Sequence, residues 1–325
     1  MQKKDYYFSL FKENLPLMRC PKCTAGFHMK EQSLVCTNGH CYDLAGKGYL
    51  YCMAGAAAGG GIYDHSLFQA RQAIFQAGFF TPLLTKVKEI LSERFHTNLR
   101  SFQKEDFSQH QDSLQRFTQG MENIPCTSMV NWYQSAFVIG DMGCGEGSPL
   151  DFLMCDINPG SIGIGIDIAK EGIRLATSRP PCRALWLVAD LTRLPLENQS
   201  LNVIFNMLSP AHYGEFDRVL RPDGLIIKIV PHRHYLQEMR RHFYPDESKS
   251  QYVNTDTVAH FMAHYPKAET MDIIYTAPTD ENFLHHLALM SPLTEHITPE
   301  DVEAFSQSGI TSITAAFTML LGQKV

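Results

Sequence analysis

Residues Ala136-Phe-Val-Ile-Gly-Asp141-Met-Gly143-Cys-Gly145-Glu146-Gly147 read as a short apolar strand that runs into an acidic residue and then a glycine-rich turn. The spacing is G-x-G-x-G, not the G-x-G-x-x-G of a dinucleotide fold. Glycines in such a turn take positive φ and let the backbone pass close to a ligand. An acid at the strand end suits a ligand with a positive amino group better than one with a pyrophosphate.

The residues that follow extend the pattern. Ile162-Gly-Ile-Gly-Ile166 is a second strand ending at Asp167, where a carboxylate can accept both hydroxyls of a ribose. Ala184-Leu-Trp-Leu-Val-Ala189 is a third, ending at Asp190 and Leu191, where an adenine amino group can be accepted. Ala169 to Ser178 between them is an amphipathic helix. Leu201-Asn-Val-Ile-Phe205 is a fourth strand leading into Asn206-Met-Leu-Ser-Pro210. Glu215 to Gly224 is a helix with a turn, and Leu225 to Val230 a fifth strand. From about Phe243 the chain completes the sheet, with a helix start at Thr298-Pro-Glu-Asp301 and a closing strand from Ile313 to Leu321.

Strands alternating with helices predict a mainly parallel sheet covered on both faces, with ligands at the carboxyl ends of its strands. Asp141, Asp167, Asp190 and Asn206 all fall there. Each acid alone could be a helix cap or a surface residue. Together, behind a G-x-G-x-G turn, they describe a site for S-adenosylmethionine. A nicotinamide dehydrogenase shares the early pattern and is the enzyme alternative.

Upstream, Cys20-Pro-Lys-Cys23 is followed after twelve residues by Cys36-Thr-Asn-Gly-His40. Two intervening residues let both thiolates of a knuckle reach one ion, and three let His40 close the tetrahedron. A Cys3His set with no open position is a structural zinc site. Cys41 competes with His40 for the fourth place. Phe27 to Val35 reads as a short hairpin. A module this small has little core, so metal binding would supply much of its folding free energy. Of nine cysteines, five lie between Cys20 and Cys52, a clustering that points to metal rather than disulfides.

Between these motifs, Ala54-Gly-Ala-Ala-Ala-Gly-Gly-Gly61 reads as a flexible connector, with a phosphate-cradling loop as the alternative. Asp64 to Gln76 is a helix stopped at Gly78, and Leu83, Leu84, Val87, Ile90 and Leu91 form the apolar stripe of another. Residues 96–134 are polar and weakly periodic, an insertion. The expected organisation is a zinc-binding module over 1–52, a linker with a helical segment and the insertion over 53–134, and a cofactor domain over 135–325.

A hydrophobic share of 44% and a charged share of 19% are those of a globular protein. No apolar run reaches the roughly 18 residues of a membrane span. The first residues lack the apolar core of a secretory signal, so a cytoplasmic location is expected. A net charge of -6 requires any polyanionic partner to meet a local basic patch. The candidates are Lys3, Lys4, Lys12, Arg19, Lys22, Lys30 and Lys47, or the Lys228 to Arg241 segment with Arg233 and Arg240. Solvated surface charge is the alternative for each.

The order of motifs is similar to that of the bacterial 23S ribosomal RNA (guanine-N1)-methyltransferases. The resemblance runs through the cysteine motif, Asp43-Leu-Ala-Gly-Lys-Gly-Tyr49, Tyr63-Asp64, Leu67-Phe-Gln-Ala-Arg71 and Ala77-Gly-Phe-Phe80-Thr-Pro-Leu83. It continues through Asp141 to Gly147, Pro231-His-Arg-His234-Tyr-Leu and Leu289-Met-Ser-Pro-Leu293. It implies a Rossmann-like α/β fold with a mainly parallel, seven-stranded sheet. It implies methyl transfer from S-adenosylmethionine to N1 of a guanine in a hairpin of the large-subunit RNA. It also implies zinc at Cys20, Cys23, Cys36 and His40 in a module that helps to hold RNA. Cofactor contacts are implied at Phe80, at Gly145, Glu146 and Gly147, and at His234, and Gly143 of the same turn is expected to join them. Asn206, His212 and His232 are the polar groups expected to face the methyl group. A homodimer is a further expectation. Two departures from the family pattern stand out: Ser148-Pro149 replaces an aromatic residue after the glycine turn, and an Ala/Gly tract replaces a charged stretch after Tyr49.

Overall fold

The computed structural model describes residues 3–53, 65–95, 137–155, 160–180, 182–245, 254–294 and 296–324. The Ala/Gly tract, Tyr63-Asp64 and the 96–134 insertion lie outside the described residues.

The chain opens with helix α1 (Lys3–Glu13) and strands β1 (Phe27–Lys30), β2 (Ser33–Cys36), β3 (Cys41–Asp43) and β4 (Leu50–Tyr51). Helices α2 (His65–Gln76) and α3 (Thr81–Phe95) follow. Gly78 between them has φ +82, a conformation that stops α2 where the sequence predicts. All five residues of the predicted apolar stripe of α3 are buried.

The larger unit runs β5 (Val138–Met142), α4 (Ser148–Met154), β6 (Ile162–Asp167), α5 (Lys170–Ala176), β7 (Ala184–Val188), β8 (Leu201–Met207), α6 (Tyr213–Val219) and β9 (Leu220–Pro231). It closes with α7 (Gln237–Phe243), α8 (Thr255–His264), β10 (Glu269–Pro278), α9 (Glu281–Met290), α10 (Pro299–Ser306) and β11 (Ser312–Gln323). β5 and β7 are buried at every residue, the pattern of strands covered by helices on both faces. The sheet order is β10-β11-β9-β8-β5-β6-β7-β4. Neighbours from β9 through β4 pair in parallel, and β11 is antiparallel to both β9 and β10. The chain steps outward from β5 in both directions, so the crevice at its carboxyl end is the switch point at which such sheets bind ligands.

The sheet has eight strands, one more than expected, and the extra one is β4 from the N-terminal segment. Its Leu50 and Tyr51 pair with Leu187 and Val188 of β7, and the Cys52 N–H donates to the Val188 carbonyl at 2.8 Å. Two residues are too few to show a strand period. Tyr7, Leu10 and Phe11 of α1 join the same continuous core as Trp186 and Leu187. Gly48, at φ +96, passes beneath the Tyr7 ring, where a Cβ would lie 2.0 Å from a ring carbon.

Two boundaries also differ. β8 extends through Met207, so Asn206 lies inside the strand. The segment 220–224, expected as a turn, already belongs to β9, because an irregularity between Leu201 and Val203 lets Leu220 pair with Leu201. No described helix is long and apolar enough to cross a membrane.

Candidate functional site

Two sites are built from different elements. In the N-terminal segment, Cys20, Cys23, Cys36 and His40 place their ligand atoms within 4.8 Å of one another. Cys23 Sγ and Cys36 Sγ are 3.6 Å apart, and His40 Nδ1 stands 3.6, 3.3 and 3.4 Å from the sulfurs of Cys20, Cys23 and Cys36. Zinc bond lengths of about 2.3 Å to sulfur and 2.0–2.1 Å to nitrogen give tetrahedral edges of roughly 3.5–3.8 Å. The observed edges fit a single zinc ion. The β1–β2 hairpin, Phe27 to Cys36, carries the third cysteine, and Gly39 at φ +80 folds the chain back to His40. Cys41 points away: it is exposed and its thiol faces Asp43 Oδ1 at 3.7 Å. The fourth member of the cluster is therefore His40, not Cys41. A bond from the Ala25 backbone N–H leads the effects that lower the Cys23 thiol to about 6.

The second site lies at the carboxyl end of β5. Asp141 is 2% exposed, and its Oδ2 has no hydrogen-bond partner among the described residues. Burial, and then the nearby Asp167, Glu146 and Asp151, hold its carboxyl well above the usual range. A buried, unpaired acceptor among acids is complementary to a cationic donor, and the amino group of S-adenosylmethionine is one. Gly143 and Cys144 both donate their N–H groups to the Ile166 carbonyl, at 2.8 and 3.1 Å. A Cβ on Gly143 would stand 1.8 Å from Ser209 Oγ, and one on Gly147 2.4 Å from the Trp186 ring. Both glycines have positive φ, so no other residue fits this turn without rebuilding it.

Asp167 joins the end of β6 to the turn. Its Oδ2 accepts from the Gly145 N–H and its Oδ1 from the Ala169 N–H, both at 2.7 Å. Each oxygen keeps a second lone pair for a ligand hydroxyl. Burial raises its pKa against these backbone donors. Asp190 Oδ1 accepts from the Thr192 N–H at 2.8 Å at the end of β7.

Beneath the turn, Arg179 donates to Glu146 Oε2 at 2.7 Å and to Ser148 Oγ at 2.9 Å, and pairs with Asp151 Oδ2 at 2.7 Å. Ser148 Oγ donates to Glu146 Oε2 at 2.6 Å. Ser148 is thus part of the ion-pair network, and Pro149 occupies the first turn of α4.

A cavity of about 1050 Å³ opens above these strand ends, at the upper end of what one small ligand fills. Phe80, Asp141, Gly143, Gly145, Glu146, Asp167, Asp190, Leu191 and His212 line it. Gly147, Asn206, His232 and His234 stand outside the lining. Asn206 is fully buried, with its amide donating to the Met142 carbonyl at 2.6 Å. His232 Nε2 lies 3.7 Å from Asp272 Oδ2, and burial lowers its pKa. From the His234 segment the cavity is lined by Tyr235 instead. Phe79 is core, packed among Phe80, Tyr275, Phe283 and Phe317, which leaves Phe80 to face the cavity.

Sequence reasoning missed Lys228 and Tyr235 as cavity residues. For Lys228 a signal was present: it is the single charge in the apolar run Leu225-Ile-Ile-Lys-Ile-Val230, and buried charges are rare without a partner or a task.

Replacing Asp141 with asparagine is expected to separate binding from stability. Cofactor affinity should fall by about a hundredfold, since removing one side of a buried charged hydrogen bond costs roughly 2–5 kcal/mol. The cofactor-free protein should melt at the same or a higher temperature, because a desolvated carboxylate crowded by acids is gone. A carboxyl raised in the folded state reduces stability above the unfolded pKa, so the gain should be present at neutral pH and vanish in acid. Calorimetric titration and thermal unfolding read both quantities, and unchanged affinity would contradict the assignment.

Comparison with known proteins agrees with this geometry. A family model described as "Methyltransferase domain" matches residues 140–228, from β5 into β9. YxjB of Bacillus subtilis (strain 168), assigned by name to the 23S rRNA (guanine-N(1)-)-methyltransferases, is 31% identical over 99% of this chain and 100% of its own length. The 23S rRNA (guanine(748)-N(1))-methyltransferase of Streptomyces fradiae is 24% identical over 68% of this chain and 66% of its own.

Proposed function

The chain belongs to the 23S rRNA (guanine-N1)-methyltransferase family, and from this premise we propose that it transfers the methyl group of S-adenosylmethionine to N1 of a guanine in a hairpin of large-subunit ribosomal RNA. The observation that carries the substrate is the extent of the likeness to YxjB, which spans the zinc module and the cofactor domain alike. That reading places the protein with ribosomes in the cytoplasm.

When bound, S-adenosylmethionine supplies an electrophilic methyl group on a sulfonium. Asp141 would accept from its amino group, Asp167 from the ribose hydroxyls and Asp190 from the adenine amino group. Phe80 and Leu191 provide apolar walls. The Arg179 network holds the glycine turn in place, so the donor is fixed before the acceptor arrives. The zinc module would help to hold the RNA, and the target guanine would leave its stack to enter the cavity. His212 caps α6 by accepting the Glu215 N–H on Nδ1 at 3.2 Å. In that cap Nδ1 serves as an acceptor.

The test is direct. Zinc-loaded protein, labelled S-adenosylmethionine and unmodified large-subunit RNA are incubated, and the nucleosides are identified by mass spectrometry. Label in 1-methylguanosine is expected. No label in RNA, with cofactor binding intact, would overturn the substrate.

A further inference from the structure

Guanine N1 carries a proton, so methyl transfer to it needs a group that removes that proton as the N–C bond forms. The predicted candidates do not provide one. The Asn206 amide is held by Met142, His212 is committed to its cap, and His232 and His234 stand outside the cavity lining.

Lys228 is placed differently. It sits in the middle of β9, paired with Asn206 of β8 on one side and Leu320 of β11 on the other. It is 3% exposed and lines the cavity. Its Nζ donates to Asn206 Oδ1 at 2.6 Å and to the Ser209 carbonyl at 3.0 Å. A neutral amine has two N–H donors and one lone pair. These two acceptors use both donors, which leaves the lone pair as the amine's remaining function.

We propose that Lys228, held by Asn206 and the Ser209 carbonyl, is the general base that accepts the N1 proton of the target guanine. This rests on the guanine-N1 reading above. The N1–CH3 bond forms as the S–CH3 bond breaks, the sulfur keeps that bonding pair, and the N1 proton becomes the third proton on Nζ. That proton then passes to solvent, restoring the amine.

Burial lowers the Lys228 ammonium to about 8, close to the pH at which a base must work. The charged or titratable groups sharing the cavity are Arg71 from α2, Asp141, Asp167 and Asp190 at the strand ends, Cys144 and Glu146 from the glycine turn, His212 and Tyr213 at the start of α6, Tyr235 after β9, and Asp256 and His260 from α8. No carboxylate is among the causes of the shift, so the lowered value follows from burial.

The test compares Lys228→Met and Lys228→Arg with the wild type at saturating cofactor, following 1-methylguanosine in single turnovers from pH 6 to 10. The wild-type rate should rise tenfold per pH unit and level off near pH 8. Both variants should be slowed at least a hundredfold and lose that inflection, while calorimetry shows cofactor affinity within threefold of the wild type. Carbon-13 lysine spectra of the wild type should show one ε-carbon titrating near pH 8 that is absent from both variants. Arginine keeps the donors to Asn206 and Ser209 but cannot deprotonate. If Lys228→Arg restores the rate, Lys228 only braces the loop and the proposal falls. It falls also if Lys228→Met keeps the wild-type rate and inflection, or if neither variant can be loaded with cofactor. Absence of 1-methylguanosine from the wild-type reaction would sink the substrate reading and this base together. Wild-type product with an equally active Lys228→Met would sink the base alone.

Discussion

Arg179→Ala should lower the unfolding free energy by roughly 3–5 kcal/mol, the usual effect of removing one partner from a buried ion pair. The guanidinium is 19% exposed and neutralises two acids, Glu146 at 5% and Asp151 at 27% exposure, with both contacts at 2.7 Å. Nη2, which pairs with Asp151, also donates to the Glu146 carbonyl at 2.7 Å, so Arg179 also holds the backbone of the glycine turn. Those acids raise the Arg179 pKa despite its burial. Without it, two carboxylates are left in a region that already contains Asp141 and Asp167. The melting temperature should fall by several degrees, and cofactor affinity should fall with it because the turn loses its tie. A double-mutant cycle with Glu146→Gln separates the causes. If uncompensated charge dominates, adding Glu146→Gln to Arg179→Ala should recover part of the stability without recovering cofactor binding. A single Arg179→Ala that melts within a degree of the wild type would show that the network contributes nothing.

The contrast between Asp141 and Lys228 explains what was legible in the sequence. Asp141, Asp167 and Asp190 sit at the ends of apolar strands, and the strand–acid–turn order is a local pattern. So is the pair of cysteine motifs, whose ligands are separated by two and three residues. The parallel sheet follows because strands such as Ala184–Val188 are apolar along their whole length. What was not legible depends on neighbours distant in sequence. Asn206 looks like a group at a strand end until Lys228, on the next strand, is found bonded to it. His212 looks like a catalytic imidazole until its ring accepts the Glu215 N–H in the first turn of a helix. Choosing His234 over Tyr235 requires knowing which of two adjacent side chains turns inward, and only the docking of the segment after β9 decides that. β4 needed β7 as a partner before two residues could be read as a strand.

Zinc removal should produce the largest change in the molecule, confined to one part of it. Structural zinc contributes about 10–16 kcal/mol to the folding of small modules. The β1–β2–β3 sheet has little core beyond Leu34 and the buried cysteines, so it cannot stand without the ion. Cys36→Ala is the sharpest substitution, because Cys36 Sγ is both a ligand and the acceptor of the His40 backbone N–H at 3.3 Å. It should abolish the one-to-one zinc content and open residues 20–43 to protease. RNA methylation should fall more than tenfold if the module grips RNA. Cofactor affinity should stay within a fewfold, since none of the four ligands lines the cavity and α1 and β4 are docked on the large sheet through their own apolar contacts. Cys41→Ser is the control: its thiol lies outside the ligand set, so zinc and activity should both remain. Equal metal loss in Cys41→Ser would reassign the fourth ligand. A loss of cofactor binding in Cys36→Ala would mean instead that β4 transmits disorder from the module into β7, and hence to Asp190 at its end. The zinc would then support the cofactor site as well as the RNA contact.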